Sequence, residues 1–347
     1  MRDVIQEVEG WLAEQAPVAV ATVIETWGSA PRDVGAKMAL TADGRIAGSV
    51  SGGCVEGAVA EVGSEVLLTR EPQLLHFGVA DETAWDVGLA CGGTIDVFVE
   101  PLQPTDFNFL RDLLNQDEPF AVATVIVGPE AILGRRIIVQ RGGRLFGQIG
   151  MDVDGPAAAA ARAALAKTAT GRQSLLLPDV HAEPIDLFVE IVRPASTLIV
   201  IGGVHIAIAL TLMAKTLRYR TIVIDPRRAF GSEERFPHVD SLIQAWPDEA
   251  FAQLKITDST AIASLTHDPK IDDPALAHAL RSSAFYVGAL GSQKTHAARR
   301  KRLLKFGLDE DNLDRIHGPI GLSIGARTPE EIAISIMAEI VAAQHEQ

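Results

Sequence analysis

The sequence predicts an α/β protein: an N-terminal duplicated α+β unit followed by a Rossmann-type, doubly wound parallel sheet domain. Three observations predict it. The first half repeats itself, the second half alternates short apolar runs with helical segments, and a glycine turn at Gly202 and Gly203 joins one such run to a helix. The domain limits that follow are 1–105 for the first copy, 106–195 for a diverged second copy and 196–347 for the Rossmann-type domain.

The chain opens with MRDVIQEVEGWLAEQ, an amphipathic helix pattern without the cationic start and apolar core of a secretory signal. With 347 residues, 47% apolar and 22% charged, the composition is that of a soluble globular chain with room for two or three domains. A net charge of −14 argues against nucleic acid as a partner, which calls for a basic surface. A small anion remains compatible, because backbone N–H groups can hold one locally. Thr197 to Ala214 has no charged side chain over 18 residues, but the glycine pair and His205 split it into strand and helix rather than a membrane span. Two cysteines do not make a disulfide framework. The expectation is a cytoplasmic protein with no membrane association, and a homodimer, given so apolar a chain.

In the duplicated region, APVAVATVIETWG at 16–28 matches EPFAVATVIVGPE at 118–130, and ADGRIAG at 42–48 matches RGGRLFG at 141–147. A small-residue helical run follows in each copy, Ala58 to Leu68 and Pro156 to Ala166, then a strand, IDVFVEP at 95–101 and IDLFVEI at 185–191. Two copies of a strand, strand, helix, strand unit explain this economically. They diverge where chemistry would sit. GSVSGGCVEGAV at 48–59 stands against GQIGMDVDGPAA at 147–158, and ACGGTIDV at 90–97 against VHAEPIDL at 180–187, so both cysteines and both Gly-Gly pairs belong to the first copy.

Gly52 and Gly53 place Cys54 beside a helix N-terminus, where free N–H groups and the positive dipole end activate a thiol and favour anions. The competing reading is a small buried residue. Cys91, with Gly92 and Gly93, occupies the analogous loop ahead of the 95–101 strand, and a core role competes there too. Arg32 and Lys37 lie between the first two strands, able to supply positive charge to the same pocket or to form a solvated hairpin loop. Trp85, next to Asp86, either covers a flat ligand or packs in the core.

In the last domain the strand candidates are 198–201, 221–224, 241–243, 261–265 and 285–290. Asp225 ends a strand 23 residues after Gly202, the position that meets a ribose hydroxyl in a dinucleotide fingerprint. Val204 occupies the second fingerprint glycine and hinders a backbone grip on pyrophosphate, so NAD(P) is disfavoured. His205 is either a ligand contact or a polar helix end. Thr266, His267 and Asp268, with Gly291, Ser292 and Lys294, end further strands and should face one crevice. The run Arg299 to Arg302 reads as a solvated helix face, or as one that meets an acidic partner. The last helix starts at Thr328 with Pro329 and a capping box to Glu331, burying Ile332, Ile336 and Ile340. Nine scattered histidines without ligand spacing give little support to a metal site. Neither a GxSxG elbow nor a P-loop occurs.

Several segments together resemble the XdhC/CoxI family: TWGSAPRDVGAKM at 26–38, GSVSGGCVEG at 48–57, LACGGTIDVFVEP at 89–101, VIDPRRAFGSEERFP at 223–237, THDPKIDDPAL at 266–276, YVGALGSQKTHAARRKRL at 286–303 and GLSIGARTPEEIAISIMAEI at 321–340. The family pattern reads GAGHVA at the Rossmann turn, so His205 and Ala207 match while Val204 replaces a glycine. The resemblance implies an accessory protein more than a turnover enzyme. It would bind the molybdenum cofactor, as molybdopterin or its cytosine dinucleotide, protect it while a terminal sulfido ligand is installed, and deliver it to an apo-molybdenum hydroxylase such as xanthine dehydrogenase. A cysteine desulfurase would supply the sulfur. Cys54 and Cys91 are then the candidate reactive residues, with Cys54 a candidate contact to molybdenum through the bound cofactor. Arg32, Gly52, Gly53, Gly92, Gly93, Gly202, His205, Asp225, His267, Asp268 and Ser292 are the candidate cofactor-binding residues. Two other functions fit parts of the pattern: an NAD(P)-dependent oxidoreductase, from the turn and Asp225, and a thiol redox protein, from Cys54 and Cys91.

Overall fold

The computed structural model describes residues 1–78, 92–116, 118–177 and 184–346. They form two compact units, Met1–Pro194 and Ala195–Gln347.

In the first unit the order is α1 (Ile5–Ala13), β1 (Val18–Trp27), β2 (Lys37–Thr41), β3 (Ile46–Gly48), α2 (Glu56–Thr69), β4 (Gln73–Phe77) and β5 (Thr94–Pro101). The same order then recurs as α3 (Pro104–Leu114), β6 (Phe120–Val127), β7 (Arg136–Gln140), β8 (Leu145–Gly147), α4 (Met151–Lys167), β9 (Gly171–Leu175) and β10 (Ile185–Val192). Two antiparallel sheets result, ordered β3-β2-β1-β5-β4 and β8-β7-β6-β10-β9. The repeat is thus longer than its apolar strands suggest, because it includes a leading helix and the outer strands β4 and β9.

The period-two alternation of β1 sorts its side chains between two covered faces. Ala19, Ala21 and Val23 pack with Val59 and Val66 of α2. Ile24, from the other face, joins Phe98, Ile126 and Phe188. With both faces covered, such strands read as nearly continuous apolar runs. Ala121, Ala123 and Val125 of β6 pack likewise on Ala157 and Ala161 of α4.

Among the ion pairs that cross from one copy to the other, two are counterparts. Lys37 Nζ lies 2.9 Å from Glu190 Oε2 and donates to Thr22 Oγ1 at 3.2 Å. Arg136 donates to Glu100 and lies 3.4 Å from Asp106. Lys37 and Arg136 open β2 and β7, while Glu100 and Glu190 hold equivalent positions in β5 and β10. The bridges are therefore related by the pseudo-twofold symmetry of the duplication, and all four charged groups border one cavity of about 40 Å³. Lys37 serves this seam and not the pocket beside Arg32, contrary to the sequence expectation.

The second unit contains β11 (Thr197–Ile201), α5 (His205–Thr216), β12 (Arg220–Ile224), β13 (Ser241–Ile243), α6 (Pro247–Phe251), β14 (Thr260–Ser264), α7 (Pro269–Arg281), β15 (Tyr286–Ala289), α8 (Gln293–Leu303), α9 (Glu310–Asp314), β16 (Ile316–His317) and α10 (Pro329–His345). Its six-stranded parallel sheet is ordered β13-β12-β11-β14-β15-β16. All five expected strands are present, and the two-residue β16 extends them. One face of the sheet packs Ile199, Ile201 and Ile262 on Ile271 and Leu276 of α7. The other packs Leu198 and Val200 on Leu210 of α5 and on Ile336 and Ile340 of α10. The capping box between Thr328 and Glu331 is formed.

The Arg299 to Arg302 run is not the solvated face its composition suggests. Arg299 is 1% exposed, donates to Leu290 O at 2.8 Å and lies 3.6 Å from Asp272. Arg302 forks onto Asp273 at 2.5 and 3.0 Å, and Arg300 pairs with Glu310 and Asp314. Acids on α7 and α9 supply the partners, and their positions come from tertiary packing. Among the described residues no helix is long and apolar enough to cross a membrane, and no group of three metal-ligating side chains gathers.

Candidate functional site

In the first unit the Ser49–Glu56 segment is built around one carboxylate. Glu56 accepts from Ser49 Oγ at 2.6 Å, Ser51 N at 2.9 Å and Gly53 N at 2.8 Å, and also from Ser51 Oγ. Ser51 Oγ in turn accepts from Cys54 N at 3.0 Å and Val55 N at 2.9 Å. The amides ahead of α2, which the sequence suggests as an anion seat, are thus engaged by side chains of their own loop. Partial burial opposes the charge on Glu56, but the hydroxyls of Ser49 and Ser51 and the Ser51 amide outweigh it and hold its carboxyl down at about 2. Copy two closes the same corner more simply, with Asp154 Oδ1 accepting from Ile149 N at 2.7 Å and Gly150 N at 3.0 Å. Its helix α4 starts at Met151, directly after Gly150, whereas the first copy delays α2 to Glu56. Gly52 (φ +75°) and Gly53 (φ +118°) make that detour, and Cys54 stands exposed on it.

The turn after β1 lies against both glycine pairs. A Cβ on Gly93 would stand 2.6 Å from Trp27 O and 2.8 Å from Ser29 O, and one on Gly52 would stand 3.6 Å from Pro31 Cβ. Gly92 and Gly93 are thereby joined through residues 27–31 to the Cys54 loop. Arg32, the next residue, pairs with Asp3 at 3.4 Å and borders a cavity of about 280 Å³ with Asp33 and Gly35. Cys91, Trp85 and Asp86 lie outside the described residues.

In the second unit, Gly202, Asp225 and Thr266 meet at the carboxyl ends of β11, β12 and β14. A Cβ on Gly202 (φ +102°) would stand 2.3 Å from Thr266 Cγ2. Asp225 is fully buried. Its Oδ2 accepts from Gly203 N and an Arg227 guanidinium N–H, both at 2.8 Å, and its Oδ1 from Arg227 N and Nε, both at 2.9 Å. Arg235 donates to Gly203 O at 3.0 Å, and a Cβ on Gly203 would stand 2.3 Å from Phe230 O. The segment after β12 therefore covers the glycine turn, and Asp225 spends its acceptors on Arg227 and Gly203. Asp268 caps α7 through Lys270 N and Ser292 caps α8 through Thr295 N. His267 adopts φ +72°, and His205 opens α5 in the open, 4.0 Å from Glu330. Sequence reasoning missed Glu56, Arg227 and Phe230. The Asp-x-Arg spacing at 225–227 was a legible signal for one of them.

A loop-borne thiol on a duplicated α+β unit, joined in one chain to a Rossmann-type domain, defines the class of protein. Residues 198–340 match the model of the XdhC Rossmann domain and residues 11–78 that of the XdhC and CoxI family. The chain belongs to the XdhC and CoxI family. It is 28% identical over 345 residues to a probable xanthine dehydrogenase subunit of Bacillus subtilis, covering 96% of this chain and 95% of that protein. It is 28% identical over 341 residues to the molybdenum cofactor insertion chaperone PaoD of Escherichia coli, covering 98% and 87%. A crystal structure of a protein described as a xanthine dehydrogenase, from Bacillus halodurans, matches with a TM-score of 0.79 at 25% identity, covering 99% of this chain and 96% of that one.

Removing the Glu56 carboxylate tests the bracing. Glu56→Ala is expected to cost about 1–3 kcal/mol, since it strands the amide and hydroxyl of buried Ser51, and to speed modification of Cys54 by a thiol reagent. Because the folded carboxyl titrates below its ordinary value, the stabilisation is present above that value and is lost as pH falls toward 2. The stability gap between parent and variant in urea unfolding should therefore shrink between pH 6 and pH 3. A gap independent of pH would show that the charge of Glu56 contributes nothing.

Proposed function

We propose that this chain takes the molybdenum cofactor as cargo, shelters it while its terminal sulfido ligand is installed, and passes it to an apo-molybdenum hydroxylase of the xanthine dehydrogenase or CO dehydrogenase type. A cysteine desulfurase supplies the sulfur. The observation that carries the reading is the exposed Cys54 thiol on a glycine detour locked by Glu56. A thiolate suits a soft metal centre or dithiolene, and the left-handed glycines beside it let backbone approach a flat ligand. The family and the cofactor chaperone among its relatives support the same reading. The loop amides, already engaged by Glu56 and Ser51, suit the metal end of the cargo better than its phosphate. An NAD(P)-dependent role draws no support from a glycine turn covered by Phe230.

The test is anaerobic mixing of the purified chain with molybdenum cofactor, followed by gel filtration and fluorescence detection of the oxidised pterin. Co-elution is expected with the parent protein. Cys54→Ala should lower bound cofactor and activation of an apo-hydroxylase by about tenfold, the loss of one strong contact. Full binding and full activation by that variant would remove Cys54 from the mechanism, and failure of the parent to bind would sink the maturation reading.

A further inference from the structure

The duplication supplies an internal comparison for two pockets of the first unit. One, of about 310 Å³, is bordered by Arg70, Arg135, Arg136, Glu100, Asp106 and Gln148. The other, of about 280 Å³, holds the equivalent turn, with Arg32, Gly35 and Ala36. Gly134 and Gly35 are counterparts: both have positive φ, and a Cβ on each would approach a carboxylate of the other copy, Glu100 at 3.5 Å and Glu190 at 4.0 Å.

The cations are not duplicated. Arg135 follows Gly134 where Ala36 follows Gly35. Arg70 is the left-handed C-cap of α2, and its counterpart, the left-handed C-cap of α4, is Thr168. In the smaller pocket, Arg32 is paired with Asp3. In the larger pocket both carboxylates turn onto Arg136. Among the described residues neither Arg70 nor Arg135 has a carboxylate partner, and Arg135 donates to Ile149 O, at 3.3 Å. Three guanidinium groups thus face two carboxylates in a chain of net charge −14.

We infer that the pocket between Arg70 and Arg135 binds a phosphate-type oxyanion, either the free ion or the terminal group of a small phosphate ester. Guanidinium forks match the oxygens of such a group geometrically. The volume lies at the lower end for small-molecule sites, enough for a phosphate with a short polar body. The amide of Gln148 on the same wall offers that body a hydrogen bond. Nothing in the inference depends on Cys54 or on molybdenum.

Calorimetric titration of the full chain with inorganic phosphate, and separately with glycerol 3-phosphate, tests it at matched ionic strength. Saturable binding of one equivalent is expected. Arg70→Gln and Arg135→Gln should each weaken it by about tenfold, the double variant should abolish it, and Arg32→Gln should leave it unchanged. Both arginines are exposed, so the circular dichroism and melting of the variants should match the parent. Tighter binding of the ester assigns the site to an esterified phosphate, and equal affinity assigns it to the free ion. No saturable heat with either probe, or undiminished binding by the double variant, overturns the inference.

Discussion

Glu190→Ala is expected to destabilise the chain by about 3–5 kcal/mol at neutral pH, the cost of leaving a buried charge without its partner. The stranded group is Lys37, whose side chain is 7% exposed and which keeps a hydrogen bond to the Thr22 hydroxyl. Burial opposes the charge on Glu190, but Lys37, with the N-terminal amine and Arg136, overcomes it and holds the carboxyl below its ordinary value. Its stabilisation is thus present above that value and lost as pH falls. Glu100, its counterpart, is shifted upward because burial outweighs Arg136, so its contribution has the opposite pH dependence. The apolar double variant Lys37→Met with Glu190→Leu should recover most of the loss, because neither group then needs a partner. Urea unfolding of the full chain, followed by circular dichroism, reads all three proteins. A single variant as stable as the parent, or a double variant worse than the single, would refute this account of the seam.

The cross-copy bridges also show why the sequence disclosed the duplication but not its assembly. Ala19, Ala21 and Val23 face one core while Ile24 faces another, so the strand is apolar throughout and its repeat stands out. In β4 the pattern Gln73, Leu74, Leu75, His76 leaves side chains half-covered or exposed, and no continuous run marks the strand. Lys37 reads as a loop cation because nothing local reveals Glu190, more than a hundred residues away. Arg299 misleads for the same reason: its helix neighbours are basic, and the acid it meets, Asp272, comes from α7. The Rossmann-type sheet was legible almost strand by strand, because each parallel strand is short, apolar and bounded by turn residues. Gly52, Gly53, Gly202 and Gly203 stand out in the sequence as glycine pairs. What their backbones approach was not readable, since Phe230 O and Thr266 reach the second pair only through tertiary packing.

The second large effect falls on Asp225. If this carboxylate waited for a ribose, Asp225→Ala would leave stability untouched and abolish a nucleotide-induced rise in melting temperature. The observed contacts require the reverse. The substitution strands Gly203 N and both the amide and the guanidinium of Arg227, and the expected loss lies toward the lower end of about 3–5 kcal/mol, because Arg227 can turn partly to solvent. Asp225→Asn keeps an acceptor but loses the charge, and should cost about 1.5–3 kcal/mol. Millimolar NAD⁺ or NADP⁺ should leave the parent's melting temperature unchanged, since a ligand that does not bind the folded state cannot stabilise it. Thermal melts of parent and variants with and without nucleotide separate the two accounts. A saturable nucleotide-dependent rise in the parent, absent from a stable Asp225→Ala, would return Asp225 to the role its place after β12 suggests. Loss of stability without any nucleotide response would instead make it the clasp that holds the segment of Arg227 and Phe230 over the glycine turn.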